Sequence, residues 1–376
     1  MSEEDHGGGA RPLRARATGA GVSGRVARAR LSLTPRLRRP VILLVAAALL
    51  AASVLASLFI GSSRIPADQV IHYLLHPDAS NVSYNINVLR VQRTLIGLLV
   101  GAALAVAGAV MQAVTRNPLA EPGLLGVNAG ASLGIVLGTA ALGVLPVPGQ
   151  LALAAGGALA ATVLIQVIGM IGSTAGAAGG GSPAGSASSP VRLVLIGVAF
   201  SAFVGAVIRG VALTMPNLFR TFIDWEVGSL TRADIPLPAM AALVVLGIGA
   251  ALLLAGALDN IALGDDVAAA LGTRVGLVRA ASLAVITVLC ATATTVAGPI
   301  GFVGLMAPLT AAWLMGPHRG WIVALCALVG PVVVLAADVL GRVLARPGEM
   351  QVGLLTAFVG SPVLLLMVLR LKDRAS

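Results

Sequence analysis

Ten apolar stretches, each close to the length that crosses a bilayer, dominate this chain: about 41–60, 89–114, 123–143, 148–172, 191–213, 236–258, 276–297, 299–316, 320–343 and 351–370. A hydrocarbon core of about 30 Å needs roughly 20 apolar residues in a helix. In lipid a helix satisfies its own backbone donors and acceptors, and it tolerates glycine or proline where neighbours take up the freed groups. Composition agrees: 57% of residues are hydrophobic and 11% charged, and mean hydropathy is +0.97. The expected fold is all-α, a polytopic integral membrane protein of about ten transmembrane helices. A single membrane domain covers 41–372, behind a disordered basic tail over 1–40.

The net charge of +10 raises the question of nucleic acid, but its placement answers it. Residues 1–40 hold nine arginines against Glu3, Glu4 and Asp5, a net of +6. The tail is rich in glycine, alanine and arginine and has no hydrophobic period, the signature of disorder. An RNA-binding arm would interleave aromatics with the arginines, so nucleic acid is not an expected partner. Basic residues beside the first span hold that end in the cytoplasm. Arg38-Arg39 before an apolar run also fits a twin-arginine signal, although nine further spans favour a retained anchor. Ten spans then return the C-terminus, with Arg370, Lys372 and Arg374, to the cytoplasm of a bacterial cell. Arg116, Arg192, Arg274, Arg279 and Arg319 fall in the expected inner loops. Cys290 and Cys326 lie inside spans and read as small packing residues. His72 and His76 lack a third partner and read as solvated rather than metal-binding. A flexible Gly/Ala/Ser/Pro-rich loop is expected at 173–190, and a short amphipathic helix at Ile65–His76.

The segment Met111–Gly126 carries more information. Apolar residues run into the twice-proline-broken turn Arg116-Asn117-Pro118-Leu119-Ala120-Glu121-Pro122 and then into a span bearing Gly126, Gly130, Gly134 and Gly138. Proline ends a helix by removing a donor and clashing with the preceding turn. Small residues four apart let helices pack closely in lipid. The whole string, with "NPLAEPGLLGVNAGAS", resembles the permease subunits of type II ABC importers, the FecCD-like family for iron-siderophores, haem and vitamin B12.

Two further strings fit the same resemblance. In 259–275, Gly264, Asp265 and Asp266 precede an apolar run through Ala269 and Leu271 to Gly272, a short capped helix. Acidic residues at a helix start complement its dipole. By itself it is a connecting helix; it resembles the coupling helix that docks on the ATPase. Gly298-Pro299-Ile300-Gly301-Phe302-Val303-Gly304-Leu305-Met306-Ala307-Pro308 resembles a family string that continues P-H-x-x-R. This chain has Pro308-Leu309-Thr310-Ala311-Ala312 instead, which points to pairing with a sister permease as an alternative to a second copy of itself. Trp225-Glu226-Val227-Gly228-Ser229-Leu230 suits an interfacial anchor, and also matches a W-x-x-G-S-L string of siderophore permeases.

Arg90 and Arg93, three apart, share a helix face, and Asp338 and Arg342 are four apart near another span end. Local pairing explains the latter two. The resemblance implies that Arg90, Arg93 and Arg342 dock an extracytoplasmic solute-binding lipoprotein through its carboxylates. It also implies a cytoplasmic gate at Asn117, Leu119, Ser188 and Ser189. ATP and magnesium would bind the partner ATPase subunits and no cofactor this chain. Lys372 is the only lysine and no glycine-rich loop precedes it, so a Walker A site is excluded. An ion-coupled secondary transporter would need carboxylates inside spans, which are nearly missing. A membrane enzyme would need a convergent set of His, Asp or Ser. The expected function is therefore an importer permease, for ferric siderophores first and haem or vitamin B12 as alternatives.

Overall fold

A computed structural model describes residues 35–375 except 178–189, 216–221, 224, 232–234 and 347. All regular structure among them is helical. The chain runs through α1 (Pro35–Phe59), α2 (Ala67–Leu75), α3 (Asn81–Tyr84), a π-turn over Asn85–Arg90, α4 (Val91–Thr115), α5 (Val127–Leu142) and α6 (Val147–Ala177). It continues through α7 (Pro190–Thr214), α8 (Leu237–Ala262), α9 (Asp265–Ala270), α10 (Val275–Ala297), α11 (Val303–Met315), α12 (Arg319–Leu344) and α13 (Val352–Ala375). Among the described residues, seven helices are long and apolar enough to cross a membrane, and three shorter apolar ones, Val127–Leu142, Val303–Met315 and Val352–Leu365, complete the ten expected segments.

Some boundaries differ from expectation. Residues 35–40, assigned to the tail, are the first turns of α1, and the rest of the tail lies outside the described residues. Arginines at the head of a span can keep their guanidinia in water while the backbone stays helical. The loop expected from 173 begins later, because α6 continues to Ala177. The span expected at 299–316 is shortened to 13 residues, about 20 Å of helix, too short to cross alone. Pro299 and Gly301 keep its first residues irregular.

Helix α4 is the centre. It packs against α12, α10, α11 and α8, and most of its residues are buried. Alanine and glycine make this close approach possible. A Cβ added to Gly108 would lie 1.8 Å from the Gly304 carbonyl oxygen. The stripe on α5 works likewise: added Cβ atoms would sit 2.4 Å from Gly157 O at Gly130, 2.2 Å from Leu153 O at Gly134 and 2.4 Å from Leu153 Cδ1 at Gly138, while Gly126 would meet Ile165 at 2.3 Å. All four face α6 or its neighbourhood, so α5 and α6 pack backbone against backbone. In lipid such contact is what holds helices together.

Candidate functional site

Two ion clusters sit at opposite ends of α4. At its head, Arg93 donates Nη2 to Asp338 Oδ1 at 2.7 Å and Nε to the same oxygen at 2.9 Å. Its Nη1 reaches Glu349 Oε2 at 2.5 Å. Arg342 donates to Asp338 Oδ2 at 2.7 Å and to Ser57 O and Oγ, both at 2.9 Å. Asp338 is fully buried, so its charge is tolerable only because two guanidinia hold it. Arg90 turns the other way. The π-turn before α4 aims it at the end of α1, where it donates to Leu58 O at 2.9 Å and Ser63 O at 3.0 Å. A cation at a helix C-terminus satisfies orphan carbonyls and complements the dipole.

These contacts are where the structure places the three arginines expected at docking. Arg90, Arg93 and Arg342 are 4%, 7% and 2% exposed, and each guanidinium is engaged inside the chain. Arg90 and Arg93 also point to different helices rather than sharing a face. The reason is that the partners of Arg93 come from 245 and 256 residues away, which a local helix pattern cannot show. What the three arginines frame is a cavity of about 140 Å³, lined also by Asn85, Gln92, Thr231 and Glu349. Glu349 lies in the loop before α13; burial pushes its carboxyl up, but hydrogen bonds from Arg93 and Ser62 outweigh that and hold it below the ordinary value of 4.5.

At the foot of α4 the chain leaves the helix through Arg116, whose φ of 51° is left-handed. Pro118 cannot continue the helix. Asn117 Oδ1 instead accepts from Leu119 N at 2.9 Å, an Asx-turn that leaves Leu119 exposed. Arg116 donates Nε to Ile261 O at 2.8 Å and pairs with Asp265. Asp265 also accepts from Arg279 Nη2 at 2.9 Å. The first residue of α9 is thus tied both to α10 and to the turn carrying Asn117 and Leu119. Ser188 and Ser189 lie outside the described residues.

Helix α9 is a six-residue turn between Gly264 and Gly272, whose φ values of 116° and 81° suit glycine. An added Cβ at either would meet nothing within 4 Å, so conformation rather than space requires glycine there. Ala268 is buried, whereas Asp266, Ala269 and Leu271 face outward. Leu263 just before α9, Val267 on it and Leu271 just past it are exposed apolar side chains. Exposed apolar side chains clustered on a short segment are the kind of surface other proteins bind.

Trp225, expected as an interfacial anchor, is buried at 2% exposure. Its ring packs near Phe222; Ser229 N donates to Ala297 O at 2.7 Å and Gly353 N to Gly228 O at 3.3 Å. The W-x-x-G-S-L string therefore knits α10 to α13. Sequence reasoning also missed Glu121, whose Oε1 accepts from Phe302 N at 3.0 Å. That bond joins the turn below α4 to the irregular start of α11. An acidic residue between Pro118 and Pro122, ahead of an apolar span, was the available signal.

Comparison with known proteins accounts for this arrangement. The FecCD transport family model matches residues 49–370. The chain is 43% identical over 315 residues to the ferric enterobactin transport system permease protein FepD of Escherichia coli, covering 84% of this chain and 90% of that protein. It is 36% identical to the Fe(3+)-citrate import system permease protein YfmD of Bacillus subtilis over 82% and 88% of the two chains. It is 35% identical to the hemin transport system permease protein HmuU of Yersinia pestis, over 77% and 84%. A solved metal-chelate-type ABC transporter in an inward-facing conformation superposes with a TM-score of 0.74 at 25% identity, covering 88% of this chain and 99% of that one. This chain belongs to the FecCD transport family of membrane permeases.

Proposed function

We propose that the chain is the membrane subunit of an ATP-binding-cassette importer that takes up ferric siderophores, moved by separate ATPase subunits. The observation that carries the coupling half of this reading is α9 and its caps: exposed Leu263, Val267 and Leu271 around a short helix whose first residue, Asp265, is tied to Arg116 and Arg279. An ATPase gripping Leu263, Val267 and Leu271 displaces Asp265, and the ion pair passes that displacement to Arg116. Arg116 immediately precedes the Asn117–Leu119 turn, so a push on α9 reaches the inner gate within one residue. ATP hydrolysis then drives alternating access without any nucleotide site in this chain.

The ferric-siderophore assignment rests on kinship to ferric enterobactin and ferric citrate permeases and on the W-x-x-G-S-L string. Hemin is the competing cargo. In this reading α9 faces the cytoplasm, and the arginine-framed cavity faces a solute-binding partner outside. Both termini are then cytoplasmic and the basic residues before α1 obey the positive-inside bias. The framing arginines hold the mouth of the pathway together, and the partner's acidic lobes meet the rim they support. A second copy of this chain, or a sister permease, completes the pathway.

A secondary transporter fits less well. Asp338, a buried carboxylate within a span, is held by ion pairs to Arg93 and Arg342. Uptake of radiolabelled ferric siderophore into proteoliposomes that hold the chain with its ATPase and binding protein decides the matter. Vanadate should stop it and collapse of the proton gradient should not; the reverse pattern rejects the proposal. Competition by excess unlabelled siderophore but not by hemin or cobalamin fixes the cargo.

A further inference from the structure

At the end of α8 that leads into α9, a groove of about 480 Å³ opens between α8 and α12, with the first turns of α1 at its mouth. Its floor is small and apolar: Ala255 and Gly256 of α8 and Ala324 of α12. An added Cβ at Gly256 meets nothing within 4 Å, so the floor is open rather than filled. Leu252 closes the far end, seven residues from Asp259 at the mouth, about 10 Å along the helix.

The mouth is polar and carries one uncommitted cation. The Arg39 guanidinium lies 5.8 Å from the centre of the Trp321 ring. Among the described residues no carboxylate lies within ion-pair distance of it. Asp259 is otherwise engaged: it accepts from Arg319 N at 2.9 Å, capping α12, with His318 Nδ1 at 3.8 Å. Three membrane-length helices end here together, at Arg38, Ala262 and Arg319, so the mouth stands at the depth of lipid headgroups. Tryptophan is at home at that depth, and basic pockets between spans suit anionic headgroups.

We propose that this groove seats one anionic phospholipid, its phosphodiester on Arg39 beside the Trp321 ring and an acyl chain along Ala255, Gly256 and Ala324. A cation alone would serve a soluble phosphate equally, but an open apolar floor beneath it has use only for a ligand with a hydrocarbon tail. The groove shares no lining residue with the arginine-framed cavity.

Native mass spectrometry of the full-length protein in mild detergent, titrated with dioleoylphosphatidylglycerol or dioleoylphosphatidylcholine, tests this. One phosphatidylglycerol per chain should be retained in preference to phosphatidylcholine. R39Q should weaken that retention about fivefold, the effect of one basic residue near an anionic surface. G256L, whose side chain enters open space and leaves every charge in place, should expel the lipid. R64Q, at the opposite end, should behave as the parent protein. Glycerol 3-phosphate should bind parent and R39Q alike. Equal retention of the two lipids by the parent, unchanged retention in folded R39Q and G256L, or glycerol 3-phosphate binding that depends on Arg39 would each overturn the proposal. So would cross-linking of a G256C variant to a partner chain in the assembled importer, since protein would then cover the groove.

Discussion

Arg93 and Asp338, 245 residues apart, meet at 2.7 Å in a site where the aspartate is wholly buried. The pair joins the head of α4 to the last turns of α12, and Arg342 closes the triad from the same helix as Asp338. Removing one member of a buried pair leaves an uncompensated charge, which costs about 3–5 kcal/mol. D338N should therefore lower stability by about 3 kcal/mol or more, with both arginines left facing a neutral amide. Unfolding of the purified protein in mixed micelles, followed by circular dichroism, measures it. A loss below about 1 kcal/mol would mean that the triad does not hold the helices together.

Glu349 links the same triad to solvent and makes it sensitive to acid. Its folded pKa is depressed below the ordinary 4.5. A depressed carboxylate contributes stability that is present above its unfolded pKa and lost as pH falls through the folded value. The midpoint of thermal unfolding should hold steady from pH 7 to about 5 and drop below about 4.5. In E349Q the part of that drop due to this residue should vanish. An unchanged acid limb in the variant rejects the assignment.

The Arg116–Asp265 link predicts an uncoupling phenotype. D265K sets a cation against both Arg116 and Arg279, and R116E inverts the other partner. In the assembled importer each should leave ATP hydrolysis measurable while uptake falls about fivefold or more, since reversal adds repulsion to the loss of an exposed ion pair worth up to about 1 kcal/mol. The double variant D265K/R116E restores opposite charges and should recover part of the uptake. Full uptake in both single variants would show that α9 drives the gate by another route.

G272V tests the cap of α9 through backbone conformation alone. Valine is strained at a φ of 81°, at about 1–2 kcal/mol for a left-handed residue, yet finds no atom to strike. Assembly with the ATPase should weaken, read by co-purification, while helical content is unchanged. G272N, which tolerates the left-handed region, should be milder.

The ten apolar segments were legible because each is a long run whose only requirement is length. The stripe from Gly126 to Gly138 was legible for the same reason: its period is local to one helix. The Asp338–Arg342 pair was legible from its four-residue spacing, but the surroundings of Arg90 and Arg93 were not, because Arg90 meets the carbonyls of Leu58 and Ser63 and Arg93 a carboxylate brought by a distant helix. Trp225 was misread similarly. An indole suits a lipid interface, and only the packing of residues 225–230 against α10 and α13 buries it. The shortened span was the hardest. Pro299, Gly301 and the left-handed Phe302 shorten α11, and the carboxylate that satisfies Phe302 N comes from Glu121, 181 residues earlier.

Helix α4 carries Arg93 in its first turn and delivers Arg116 directly past its last. About 34 Å of helix separates the two, and most of its surface is walled in by neighbours. A rod so confined has little room to bend, so in the proposed transport cycle a displacement at Arg116 is felt at Arg93 without any messenger passing between the two ends.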